Sequence, residues 1–226
     1  MQNALLLFFC FGILGCKNTP EENQKTNSPT TERKLTTAET IAYHYGFEHW
    51  NEVEEIQFTF NVDRGENHFE RTFHWKPMNH EVTYLTAIDT ISYLRTQALD
   101  SIQTAADQRF INDKYWLLAP FQLLWDRGTV FSEGKNEIAP ISKDTLNRLT
   151  ITYGPEGGYT PGDAYDLYYN PDFEIKEWVY REGNSPDPTI SYTWENLQEF
   201  HNIKLCTMHQ DSTKNTKIYF TNLLIR

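Results

Sequence analysis

Ile56, Phe58, Phe60 and Val62 are separated by Gln57, Thr59 and Asn61. An apolar residue at every second position suits a strand with one buried face. A helix, which repeats every 3.6 residues, cannot use that pattern. The alternation returns at Phe69, Arg71, Phe73 and Trp75 and stops at Pro77, with the turn-forming residues 63–67 between the two runs. Residues 82–85 and 91–94 extend the meander, and Leu149/Ile151/Tyr153, Tyr165/Leu167/Tyr169, residues 173–180, Ile190/Tyr192/Trp194, 203–209 and 218–225 continue it. Strands this short and this regular predict an antiparallel architecture.

Helical signals are fewer. Thr36 followed by Glu39 reads as a capping box, Gly46 as the residue that ends the helix, and 47–53 as a short helical turn. Residues 96–109 lose the alternation and predict a helix. Pro120 argues against one continuous helix through 115–125, so two short strands or a strand and a turn are expected there. The polar stretch 132–144 reads as a connection, and 195–200 as a short turn of helix. The expected fold is mainly β with a few helices (α+β). It is a curved antiparallel sheet or half-barrel of about 9–11 strands, with helices covering or plugging one face.

The chain starts with a different signal. Residues 4–15 carry no charge and lead into Ile13-Leu14-Gly15-Cys16. A span of about 20 apolar residues would be needed to cross a bilayer, so this run is expected to be a lipoprotein signal peptide (1–15), cleaved before a lipid-bearing Cys16. No Lys or Arg precedes the run, unlike most such leaders. Residues 16–36 are polar, with Leu35 the single aliphatic residue after the cysteine, and are expected to be a flexible spacer. Residues 37–226 are expected to form one half-barrel domain. The protein is then lipid-anchored in a bacterial cell envelope, at the outer membrane, with the periplasmic or surface face left open.

The chain carries a net charge of −11 and no long Lys/Arg run, a poor match for nucleic acid. Cys206 is the one cysteine beyond Cys16, so no internal disulfide is expected, and its apolar neighbours suggest an inert thiol. Several catalytic patterns fail. The glycine-rich stretch 154–163 lacks a terminal Gly-Lys-Ser/Thr and holds two prolines. His44/His49 and His74/His80 do not have zinc-helix spacing, and no cofactor or metal is expected. Asp163, Asp166 and Asp172 are better explained by turns than by glycoside or calcium chemistry. With no Gly-x-Ser-x-Gly elbow either, the chain reads as non-catalytic.

Aromatic residues make up 15% of the chain, and they are the stronger lead. Phe58, Phe60, Phe73, Trp75, Tyr84, Trp116 and Phe121 are candidates to line an apolar concavity, with Arg71 placed to meet a headgroup or carboxylate. A conventional core explains the same rings without function.

Three segments, YGFEHW (45–50), FINDKYWLLAPF (110–121) and GYTPGDAY (158–165), resemble an uncharacterised Bacteroidota outer-membrane lipoprotein family. The overall plan, with a strand taken to run over 114–121, resembles the lipoprotein-localisation carriers and their half-barrel lipid-binding relatives. That resemblance implies a concave sheet holding acyl chains under a helical lid. The leading expectation is a membrane-anchored lipoprotein binding a lipid or other amphiphile. One alternative is a structural or interaction subunit of an envelope assembly, with a filled core and a protein partner. Another is a glycan-binding surface lipoprotein.

Overall fold

The computed structural model describes residues 33–156 and 160–226. The expected signal peptide, Cys16 and most of the spacer lie outside them. Residues Leu35–Arg226 form one compact unit.

Twelve strands dominate the described residues, in two antiparallel sheets. The seven-stranded sheet is built from β1 (Ile56–Arg64), β2 (Asn67–Lys76), β3 (Glu81–Leu85), β4 (Thr90–Leu94), β10 (Glu195–Phe200), β11 (Ile203–Gln210) and β12 (Thr216–Ile225). Its order is β10-β11-β12-β1-β2-β3-β4. The five-stranded sheet runs in chain order through β5 (Thr129–Ile138), β6 (Thr145–Tyr153), β7 (Ala164–Tyr169), β8 (Ile175–Arg181) and β9 (Ile190–Thr193). The chain passes from one sheet to the other at Trp194, whose N–H donates to the Lys176 carbonyl at 2.7 Å. A bridge from Tyr192 to Asp211 carries the β10–β11 register across the join, so the two ladders make one curved surface.

Two helices complete the unit. α1 (Thr37–His44) begins with the Thr36/Glu39 capping box. Gly46 follows it in the left-handed region, where a Cβ would lie 2.0 Å from the Asn202 carbonyl oxygen, so no other residue fits. The segment Phe47–Glu52 is a 3₁₀ turn. α2 (Ser101–Trp125) is longer than expected and starts later, at an Asp100/Gln103 capping box. It overturns the strands expected at 115–125. Pro120 interrupts the ladder without ending the helix: the backbone departs from helical angles at Leu118, two residues earlier, and the helix resumes. Tertiary packing overrides the proline because residues 113–123 are buried without exception. No described helix is long and apolar enough to cross a membrane.

α2 fills the concave side of the curved surface. Phe110 meets Phe73 and Trp75 of β2, at centroid distances of 5.6 and 5.3 Å. Trp116 meets Trp178 of β8 at 4.6 Å and Tyr192 of β9 at 5.0 Å. One hydrophobic cluster therefore spans both sheets, α1 and α2. Full burial of each large side chain contributes about 1.5–3 kcal/mol.

Two further expectations are corrected. The polar stretch from 132 is the body of β5, an outermost strand with mostly exposed residues, where burial does not select apolar side chains. Its register shifts between Gly134 and Glu137, and Asn136 there has φ 54°. Residues 195–200 are β10 and not helix, paired with β11 from Glu195↔Met208 to Phe200↔Ile203.

Candidate functional site

The strand register explains where the anticipated rings go. Phe58 pairs with Phe73, Phe60 with Arg71 and Phe73 with Tyr84, which sets these side chains on the inner face of the large sheet. There they pack on one another and on α2. Phe58–Phe73 centroids lie 5.5 Å apart, and Phe73 and Tyr84 stack at 4.9 Å. Phe58, Phe60, Phe73, Tyr84 and Phe121 are buried in the core and line none of the clefts described below.

Arg71 also faces inward. Its Nη2 donates to Asp113 Oδ1 at 2.6 Å, and its guanidinium lies over Phe60 and Phe69. Asp113 is fully buried. Burial pushes its carboxyl up to about 6 even though the Arg71 charge pulls the other way. The arginine expected to meet a headgroup thus has a carboxylate of the protein's own. It borders a shallow cleft of about 290 Å³ with Arg109 and Asn112.

Trp116 borders a second cleft, of about 210 Å³, with Tyr165, Trp178 and Tyr180. On its other side is His209, completely buried, with Nδ1 donating to the Thr193 carbonyl at 3.2 Å. Burial drives this imidazole down to about 3, so it is neutral.

A third cleft, of about 440 Å³, has a different character. It opens between the 3₁₀ turn Phe47–Glu52, the end of β2, the 3₁₀ turn Pro77–Asn79 and one face of α2. Trp50, Trp75 and Trp125 supply rings. Trp50 lies 5.4 Å from Trp75 and 4.7 Å from Trp125 by centroid. Pro77, Met78 and Ile111 add apolar surface. Ile111, Lys114, Gln122 and Trp125 follow helical spacing along one stripe of α2, so they share this wall.

Lys114 is 8% exposed. Its ammonium lies 5.3 Å from the Trp125 ring centroid and 5.8 Å from that of Trp75, within cation–π range. Among the described residues it has no hydrogen-bond or ion-pair partner. Burial brings it down to about 8, Arg95 adds to that shift, and Asp126 and Asp107 oppose it. Gln122 is 4% exposed, borders the same cleft and makes no side-chain hydrogen bond among the described residues. The other charges at the cleft are engaged: Arg95 Nε donates to Asp107 Oδ1 at 2.7 Å, and Asp126 accepts from the Tyr153 hydroxyl at 2.6 Å. An ammonium with no counter-ion, opening onto a cleft among indole rings, is equipped to take an anionic group attached to an apolar body. Of the residues proposed from the sequence to line a ligand cavity, Trp75 alone belongs to this cleft.

No family model matches the sequence. Solved structures with a similar course include a DUF1329 family protein from Desulfovibrio piger, with a TM-score of 0.46, 12% identity and coverage of 84% of this chain and 91% of that one. Another is a LolA superfamily protein from Nitrosomonas europaea, at 0.47 and 10%, covering 85% and 94%. A third is an outer membrane lipoprotein-sorting protein domain from Vibrio parahaemolyticus, at 0.41 and 9%, covering 84% and 93%. Likeness at this level says nothing of ligand or activity.

Proposed function

We propose that this protein is a non-catalytic, lipid-anchored envelope protein that binds a hydrophobic or amphipathic ligand at the tryptophan-lined cleft. The observation that carries the reading is a cleft of about 440 Å³ walled by Trp50, Trp75 and Trp125, with Lys114 buried and unpaired beside them. Its volume lies in the range of small-molecule sites, about 300–1,000 Å³. Anchoring through Cys16 and placement at the outer membrane are part of the proposal and rest on the sequence pattern at 13–16. Because α2 occupies the concave face, the proposed site is at its margin and not in the hollow of the sheet.

Native mass spectrometry with lipid extraction on the full chain tests this. A co-purifying amphiphile, lost on Trp125→Asp while the circular dichroism spectrum persists, is the expected result. A clean apo mass after incubation with envelope lipids would remove the ligand-binding reading.

A second reading, a subunit of an envelope assembly, draws on the filled core and on Val130, Phe131 and Ile138, exposed along β5. The same clean apo mass would favour it.

A further inference from the structure

We infer that the cleft selects a single-chain amphiphile with a monoanionic head, a carboxylate or a phosphodiester, and that Lys114 is the counter-ion for that head. This deepens the proposed function and rests on it. Three observations combine. The Lys114 side chain is largely buried, its ammonium opens onto the cleft, and among the described residues that ammonium has no anionic partner within ion-pair distance. A partly desolvated cation with no counter-ion gains from an arriving anion. Gln122, also buried, borders the same space with its side-chain hydrogen-bonding capacity unused, so an ammonium and an amide are both available to a two-oxygen head. The walls are three indoles, Pro77, Met78 and Ile111, which suit a hydrocarbon chain.

The charge inventory sets the ligand at one negative charge. Arg95, next after β4, is neutralised by Asp107 of α2. Asp126, at the end of α2, is a carboxylate on the cleft wall, and His80 borders the opening from the 3₁₀ turn beside it. One unmatched cation facing one partly buried carboxylate accommodates a single anion and disfavours a dianion. A cationic head would meet Lys114 at close range.

The test uses the full chain and three probes of equal chain length below their micelle thresholds: decanoate, decyl methyl phosphate and decanol. Quenching of tryptophan fluorescence reports binding. At pH 7 one or both anions should bind at least about tenfold tighter than decanol, and the tighter anion identifies the head. Lys114→Met should reduce that ratio to about one while keeping decanol binding. If the variant does not fold, the wild type still decides: anion affinity should hold below about pH 8 and weaken above it as Lys114 loses its proton, while decanol affinity stays flat. Equal binding of all three probes, unaffected by Lys114→Met or by pH, would overturn the headgroup assignment and leave the apolar pocket standing. Failure of every probe to bind would overturn both.

Discussion

Asp113 and Lys114 are consecutive residues of one helix, both buried, and they are treated in opposite ways. Asp113 points toward the large sheet and meets Arg71 at 2.6 Å. Lys114, about 100° further round the helix, points into the tryptophan cleft and meets only ring faces. Asp113 lost its water on folding, and Lys114 kept only the cleft side of its ammonium. One is matched by a residue of the same chain, while the other has no ion-pair partner among the described residues. A buried, matched charge is a feature of architecture, and a buried, unmatched one on a cleft wall is a feature of use.

The largest effect should come from unmatching the matched charge. Arg71→Met should destabilise the protein by about 3–5 kcal/mol at pH 7 in urea denaturation, because Asp113 is then buried without an ion-pair partner and keeps only the Asn112 amide. Asp113 sits near 6 in the fold, above its ordinary 3.8, so its stabilising contribution is full below about 3.8 and lost as pH rises through 6. The deficit should therefore shrink on acidification from pH 7 to 4. Removing both charges, as Arg71→Met with Asp113→Leu, should recover most of the loss.

Lys114→Met should move stability the other way, a gain of about 1–3 kcal/mol at pH 7, since the desolvation cost exceeds the cation–π return. Lys114 lies near 8 folded against an ordinary 10.5, so the folded state resists the charge between these values. Wild-type stability rises with pH across that window, and the variant's advantage should fade between pH 8 and 10.5. A loss of stability at pH 7 would break the contrast with Asp113.

His209 gives a third case, a buried base kept neutral. With its folded value near 3 and its ordinary value at 6.5, stability drops as pH falls through that window. The drop should reach about 2 kcal/mol by pH 5. His209→Leu should flatten that part of the acid-unfolding curve. An unchanged curve would mean that the ring accepts a proton in place.

Much of the fold was legible because apolar and polar residues alternate in the sequences of β1, β2 and β6, although Thr59, Asn61 and Thr150 are buried along with their apolar neighbours. The Thr36/Glu39 capping box is legible in the sequence, while the Asp100/Gln103 box lies inside the stretch 96–109 that reads as continuous helix. Residues 113–123 are buried on every side, so they carry no helical stripe, and Pro120 completed the misreading. The spacing of Ile111, Lys114, Gln122 and Trp125 has meaning only on a helix that continues past Pro120. Trp50 was within reach of sequence reasoning as part of a short helical turn, but nothing local pairs it with Trp125. Phe58, Phe60 and Phe73 have the composition of a pocket wall and the position of a core, because the distinction depends on where α2 lies.

The outermost position of β5 has a consequence for life at high local concentration. Its ten residues carry backbone groups on their outer side that no neighbouring strand in the sheet engages, along with exposed Val130, Phe131 and Ile138. Such an edge invites another chain to add a strand. Glu133 and Lys135 stand exposed within it, and the shift between Gly134 and Glu137 breaks the even spacing that an incoming strand would need. Protein molecules at high concentration are in this way discouraged from zipping edge to edge, and the safeguard is local, written into five consecutive residues of one strand.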